Sequence, residues 1–380
     1  MVSVEQVEGR TDYPFLRQNS GSDQSKDHQV TLKGVKIHLY KLGIIARGND
    51  ACGCFPCAAT DSQSLLDSVL LSQWEHCAWK GQLKYDVTTC QTKVINGEKK
   101  FVVQLNERWN SLFLEEFENN FLQPLGPISS NHIKSHKENV LFCVSQGEKE
   151  SSEVVLSTML PKDGILIIAN ANPVEYGHVF LVPYNINRLP LFLDKKMVEL
   201  ILRTAVEVNS SSFRVFFDSI ISNRSDHIIF QASYFANPLP VELFPTVPVY
   251  ADTHRTGIHI CEVADYPLKT LVFMGNNLDS LSNIITEICS NLRVHGSAFN
   301  LLITDFGTKI FLFPQAQSLI MDRPISTWEC GGYFVYGTKF GFDNASETEI
   351  LKRMASVSLD DSSFQSLKHL CCSIAVNLYL

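Results

Sequence analysis

Short apolar runs, interleaved with stretches apolar on one face only, restrict the fold of this chain more than any other feature. Gly164–Asn170 and His178–Val182 are β-rich and bounded by the turn formers Asp163-Gly164 and Tyr176-Gly177. Met197, Leu200, Ile201 and Ala205 then share one face of a helix over Met197–Val208. Phe213–Phe217 and His227–Phe235 follow as a strand pair joined by the polar loop Ser222–Asp226. Pro238, Pro240, Pro245 and Pro248 interrupt regular structure, and the theme of strand, helix and hairpin then returns. Thr270–Met274 predicts a strand, and Leu281, Ile284, Ile285, Ile288 and Leu292 predict a helix ending near Gly296. Phe299–Thr304 and Lys309–Phe313 predict a hairpin turned at Asp305-Phe306-Gly307-Thr308. Strands this short, joined by tight turns, belong in largely antiparallel sheets, and one-sided helices must lie against them. The expected class is α+β.

The flanks carry less information. Residues 1–30 are polar and predict a mobile tail, followed by one domain over 31–250 and a C-terminal α+β domain over 251–380. Leu65, Leu66, Val69, Leu70 and Trp74 recur at helical spacing after a Ser/Asp start, and Ser346 with Glu349 predicts a capping box opening a late helix. The net charge of −8 argues against a general affinity for nucleic acid. No apolar run approaches the length of a membrane span, and Met1–Ser20 lacks an apolar signal core. A cytoplasmic location is expected, with the nucleus as the alternative. Among eleven cysteines, reduced thiols are expected rather than a disulfide framework. Cys52, Cys54 and Cys57 make a dense cluster but lack a nearby fourth ligand, so no metal is expected; Cys371 and Cys372 fit a helix packed into the core. No cofactor is called for. Asp305-Phe306-Gly307 matches the magnesium-binding turn of protein kinases in letters only, since no glycine-rich loop or catalytic-loop motif accompanies it.

Two segments concentrate chemistry-bearing residues: Asn170-Ala171-Asn172-Pro173-Val174-Glu175-Tyr176-Gly177-His178, and His227-Ile228-Ile229-Phe230-Gln231. A Gly-His turn feeding an apolar strand, followed by a histidine-bearing strand that ends in Gln, resembles the nucleotidyltransferase branch of the histidine-triad superfamily. Tyr85–Val94, Gln104-Leu105-Asn106-Glu107, and Ala298–Asp305 continuing to Pro314-Gln315 extend the match across roughly residues 60 to 380. Together they resemble the plant GDP-L-galactose phosphorylases. That resemblance implies antiparallel sheets with packed helices, like those of galactose-1-phosphate uridylyltransferase, in a duplicated arrangement. It also implies a step in ascorbate synthesis, in which a histidine attacks the α-phosphorus of GDP-L-galactose, expels hexose 1-phosphate and passes GMP to phosphate. Asn170, His178, His227 and Gln231 would then be nucleotide-binding positions.

The position of the attacking histidine holds Ile229. An aliphatic side chain has no lone pair with which to form the covalent intermediate, so no competent catalytic residue is expected there. On a strand, His227, Ile229 and Gln231 share one face while Ile228 and Phe230 take the other. Other departures touch the same site. Ser111–Phe117 is apolar and acidic where the family is basic, and the small-residue loop before the histidine strand has become Ile220–Asp226, with Arg224 the one new cation in it. The favoured expectation is a lapsed phosphorylase homologue that binds GDP, GDP-hexose or a protein partner. The alternatives are a working GDP-hexose phosphorylase using a replacement nucleophile such as His227, and a subunit that tunes an active paralogue. His178, Asn170 and Gln231 could equally persist to satisfy buried polar groups. His254 and His259 match no motif and are expected at the surface.

Overall fold

Residues 30–31, 36–44, 63–109, 139–185, 192–219, 228–252, 257–316 and 325–378 are described by the computed structural model. Residues 1–29 of the expected tail, the Cys52–Cys57 cluster, Ser111–Phe117, the 222–226 loop, His227 and His254 lie outside these residues. In chain order the strands are β1 (Val30–Thr31), β2 (Ile37–Leu42), β3 (Gln91–Val94), β4 (Val102–Leu105), β5 (Val140–Gln146), β6 (Glu153–Ser157), β7 (Met159–Leu160), β8 (Asp163–Ala169), β9 (Tyr176–Asn185), β10 (Phe213–Asp218), β11 (Phe230–Tyr234), β12 (Thr246–Asp252), β13 (Ile258–Val263), β14 (Leu271–Met274), β15 (Ala298–Thr304), β16 (Lys309–Gln315) and β17 (Tyr333–Tyr336). The helices are α1 (Leu65–Trp79), α2 (Lys195–Val208), α3 (Leu278–Val294), α4 (Thr327–Cys330), α5 (Lys339–Asn344), α6 (Glu347–Val357) and α7 (Asp361–Asn377).

The helices form where the sequence caps them. The Ser64 hydroxyl accepts from the Asp67 amide to open α1, Asp194 accepts from Met197 to open α2, and Asn277 accepts from Ser280 to open α3. Asn209 closes α2 at φ 51°, a left-handed conformation that asparagine tolerates, and Gly296 follows α3 at φ 68°. Ser346 caps α6 through the Glu349 amide, as its spacing predicts.

Twelve strands make one sheet in the order β12-β13-β14-β16-β15-β10-β11-β9-β8-β5-β2-β6. Its pairs are antiparallel except β2 with β5. Two halves of this sheet share a topology. In the first, β8-β9-α2-β10-β11 places its strands as β8-β9-β11-β10; in the second, β13-β14-α3-β15-β16 places them as β13-β14-β16-β15. The halves join where β10 pairs antiparallel with β15, with Phe216 opposite Leu302 and Asp218 opposite Asn300.

Strand alternation sends alternate residues to opposite faces, and each face has its own core. One face packs against α1, α2, α3 and α7, burying Phe217, Ile228, Phe230, Ile201, Ile285 and Cys371 in a single apolar cluster; Cys372 is half-buried. The other carries Phe216, Leu302, Phe311 and Phe313 against Trp328, Phe334 and Met354. Each such phenylalanine contributes roughly 1.5–3 kcal/mol by leaving water. A three-stranded sheet, β17-β4-β3, covers this second face, and its β17–β4 pair is parallel. It binds the early segment 102–105 to the late segment 333–336. No described helix is long and apolar enough to cross a membrane.

Candidate functional site

The loop between β8 and β9 is folded by its own polar groups. The Asn170 side-chain oxygen accepts from the Asn172 amide at 2.8 Å, and the Asn170 amide donates to the His178 carbonyl at 3.0 Å. Gly177 turns the chain at φ 67°, and a Cβ there would lie 2.5 Å from the Tyr234 ring. That conformation and that contact explain why glycine precedes His178. Elements far apart in sequence then clamp the loop. Tyr85 donates to the Pro173 carbonyl at 2.7 Å, Gln104 to the Val174 carbonyl at 2.9 Å, and the Trp74 indole to the His178 carbonyl at 3.1 Å. Tyr333 donates to Glu175, whose carboxyl burial pushes up from its ordinary range. Asp86 caps a short turn through Thr88. Tyr85 and Gln104 therefore act here as supports of the loop.

His178 sits 1% exposed on the face opposite α2, with Trp328 edge-on at 6.0 Å. Its Nδ1 accepts from the Val174 amide at 2.9 Å. A backbone amide can only donate, so the ring proton must be on Nε2, which donates to Gln231 Oε1 at 3.1 Å. Gln231 is thereby oriented to donate from Nε2 toward Asp218 Oδ2, 3.4 Å away. Asp218 Oδ1 accepts from the Thr327 amide at 2.7 Å and from its hydroxyl at 2.6 Å. Asn170 Nδ2 lies 3.4 Å from both ring nitrogens, too long and too divided for a strong bond. The result is a directed polar chain, Val174 to His178 to Gln231 to Asp218, closed at its far end by Thr327.

Burial governs the charge of this chain. It pushes the His178 imidazole down to about 4, although the bond to Gln231 works the other way, so the ring is neutral at physiological pH. Burial pushes the Asp218 carboxyl up to about 6, against the opposing effect of its Thr327 bonds.

Of the residues expected from sequence, the structure brings Asn170, His178 and Gln231 together in the interior. Ile229 is 5% exposed just before β11; its neighbours Ile228 and Phe230 enter the helix-side core, and Gln231 faces the other way. His259 is half-buried rather than fully exposed on β13, a strand flanked by β12 and β14. Asp218, Thr327 and Trp328 were not legible as site residues. Asp218 carries a faint signal, a lone carboxylate closing an apolar strand, while Thr327 reaches it across 109 positions. Arg214, also buried, is committed to Glu242 through two bonds of 2.9 and 3.1 Å. Among the described residues no group of three or more His, Cys, Asp or Glu could hold a metal ion.

Residues 65–233 match the profile described as GDPGP1-like, N-terminal domain, and residues 240–378 match GDPGP1-like, C-terminal domain. The chain is 31% identical to GDP-L-galactose phosphorylase 1 of Arabidopsis thaliana over 88% of its own length and 80% of the relative's. It is 30% identical to GDP-D-glucose phosphorylase 1 of Homo sapiens over 64% of this chain and 62% of that protein. In structure it resembles yeast Ap4A phosphorylase Apa2 in complex with Ap4A, with a TM-score of 0.51 at 13% identity, covering 78% of this chain and 98% of the other. The chain belongs to the GDPGP1-like family, whose named relatives include GDP-L-galactose and GDP-D-glucose phosphorylases.

Proposed function

We propose that this protein is a GDP-hexose phosphorylase homologue that binds GDP or a GDP-hexose but has lost guanylyl transfer. The reading is carried by Ile229, an apolar side chain at the position from which, by resemblance to the family, an imidazole attacks the α-phosphorus. His178 is a poor substitute. Its Nδ1 lone pair is engaged by the Val174 amide, its Nε2 holds the proton, and it is 1% exposed. Without a nucleophile no covalent guanylyl intermediate forms, and phosphate has nothing to attack. What supports retained binding is the intact scaffold: the Asn170–His178 loop is clamped from three directions, and Gln231 keeps its place beside it. The shared topology of the two sheet halves supports an origin by duplication. In the second half the position matching Gln231 holds Phe311, since Phe216 faces Leu302 across the seam. On this reading the protein acts by occupancy, alone or beside an active paralogue, and contributes no turnover to ascorbate synthesis.

The test is direct. Purified protein is given GDP-L-galactose or GDP-D-glucose with phosphate, GDP release is followed by chromatography, and GDP binding is measured by calorimetry. Binding without release is expected. Release at the rate of an active relative, with a guanylyl adduct mapped by mass spectrometry to His227, would establish the working enzyme instead.

A further inference from the structure

The twelve-stranded sheet ends on two strands, β12 at one side and β6 at the other, and they are built differently. β12 contains Pro248, which has no amide to donate, and its register shifts between Pro248 and Tyr250. Proline and bulges protect a sheet edge from pairing with another chain. β6, which reads Glu-Val-Val-Leu-Ser over Glu153–Ser157, has no proline and keeps an unbroken register with β2. Among the described residues no strand pairs with its outer side, and Leu156 is 56% exposed.

The backbone groups that β6 presents outward follow from its neighbours. The Gly147 amide donates to the Leu42 carbonyl at 2.8 Å. In a parallel pair a residue turns both of its backbone polar groups to the same neighbour, so Leu42, Tyr40 and His38 serve β5. Ile37, Leu39 and Lys41 therefore serve β6, and Gly43 continues that side by donating to the Ser152 hydroxyl at 3.0 Å. Their partners Ser157, Val155 and Glu153 are turned inward. Val154 and Leu156 must then turn their amides and carbonyls outward. The side chains of these two residues share the helix-covered face, where Val154 packs against the core.

We propose that β6 is the pairing edge for a second copy of this chain, related to the first by a two-fold axis through Val155. Antiparallel self-pairing about that residue brings Val154 opposite Leu156 of the second copy. There the two exchange both backbone bonds, and the axis repeats the exchange. The valines and leucines of both copies form one apolar stripe on the helix-covered face, which covers the exposed Leu156. Charge selects this arrangement over a parallel one. Glu153, paired with Lys41 and Lys149 in its own chain, meets the neutral Ser157 of the second copy, whereas a parallel pair would set it against another Glu153. Two such short strands bury less than the roughly 1,200 Å² at which stable interfaces begin, so a Kd on the order of 10–100 µM is expected. In the sheet β2, β5 and β8 separate β6 from the strand of His178, so the inference stands whether or not nucleotide binds.

Sedimentation velocity of the full chain, from about 1 to 300 µM, should show the mass moving from one chain toward two. Leu156→Pro removes an outward amide and the exposed side chain without touching a bond to β2, and Leu156→Lys puts a charge into the stripe. Each should weaken association about tenfold or more. Val155→Cys reads the register. On the axis, residue 155 and its copy form a non-hydrogen-bonded pair with Cα atoms about 4.5 Å apart, within disulfide reach. Mild oxidation should therefore link two chains through this cysteine, mapped by peptide mass spectrometry, well above the wild-type level. Circular dichroism establishes that the variants are folded; should Leu156→Pro fail to fold, Leu156→Lys and the crosslink decide. A mass of one chain at every concentration would overturn the proposal and leave the edge to a foreign strand or to another segment of this chain. Association undiminished in a folded Leu156→Lys, or crosslinking of Val155→Cys through other cysteines only, would overturn it as well.

Discussion

Replacing Asp218 by asparagine should expose a pH dependence that the wild-type protein conceals. His178 and Asp218 occupy one buried polar chain, and burial moves their proton affinities in opposite directions, inverting their order. The imidazole falls from 6.5 to about 4, so the stability it contributes is complete above 6.5 and is lost as pH falls through about 4. The carboxyl rises from 3.8 to about 6, so its contribution is complete below 3.8 and is lost as pH rises through about 6. At about 1.4 kcal/mol per pH unit, acidification from pH 7 to 4.5 costs about 2 kcal/mol through His178 and returns about 2 kcal/mol through Asp218. The two nearly cancel. The proton Asp218 takes up has a place to go: the Thr327 hydroxyl, now donating to Asp218, can turn to the Phe217 carbonyl 3.1 Å away and accept instead. Asp218→Asn removes one side of this balance, so stability relative to wild type should fall by about 2 kcal/mol more at pH 4.5 than at pH 7. His178→Phe removes the other side and should reverse the sign. It should also cost roughly 1–3 kcal/mol for each of the two groups left unpaired, the Val174 amide and Gln231 Oε1. Urea unfolding followed by Trp74 and Trp328 fluorescence, at pH 7, 5.5 and 4.5, measures the differences. Stability curves for wild type and Asp218→Asn that stay parallel across this range would refute the reasoning.

Three other outcomes follow from the geometry. Ile229→His should create a guanylyl adduct, detectable by intact mass, and GDP release above background; a variant that binds GDP yet forms no adduct would show that more than the nucleophile is missing. Gly177→Ala should destabilise by about 2 kcal/mol or more in urea melts, because a side chain there meets both a φ of 67° and the Tyr234 ring 2.5 Å away. Arg214→Met should cost roughly 3–5 kcal/mol by stranding buried Glu242, while Arg214→Met combined with Glu242→Leu should recover much of that loss; equal losses in single and double variants would argue against a charge-stranding cause.

Much of the architecture is legible in the amino-acid sequence. Met197–Val208 and Leu281–Leu292 predicted helices found at Lys195–Val208 and Leu278–Val294, because local periodicity and caps act over a few residues. The hairpin around Asp305–Thr308 was equally plain, with Gly307 at φ 81° supplying the turn. The Ser326–Glu329 capping box is not legible in the sequence, since a four-residue helix has no periodicity to mark it. Asn170, His178 and Gln231 are singled out by the family resemblance, but their bonding is not legible in the sequence. Gln231 reaches His178 across 53 positions, and Asp218 reaches Thr327 across 109.

The amino-acid order alone determined which segments are strands and helices, which family they compose, and that Ile229 brings no lone pair to the histidine strand. Only the tertiary structure decided that Asn170, His178 and Gln231 lie inside the protein, with His178 neutral and bound at both ring nitrogens. The parallel β17–β4 pair and the seam between β10 and β15 were likewise beyond the reach of sequence. The reason is the same throughout. Propensity and patterning act between near neighbours, whereas burial, proton affinity and strand register are set by groups that come together only after the chain has closed loops of a hundred residues and more.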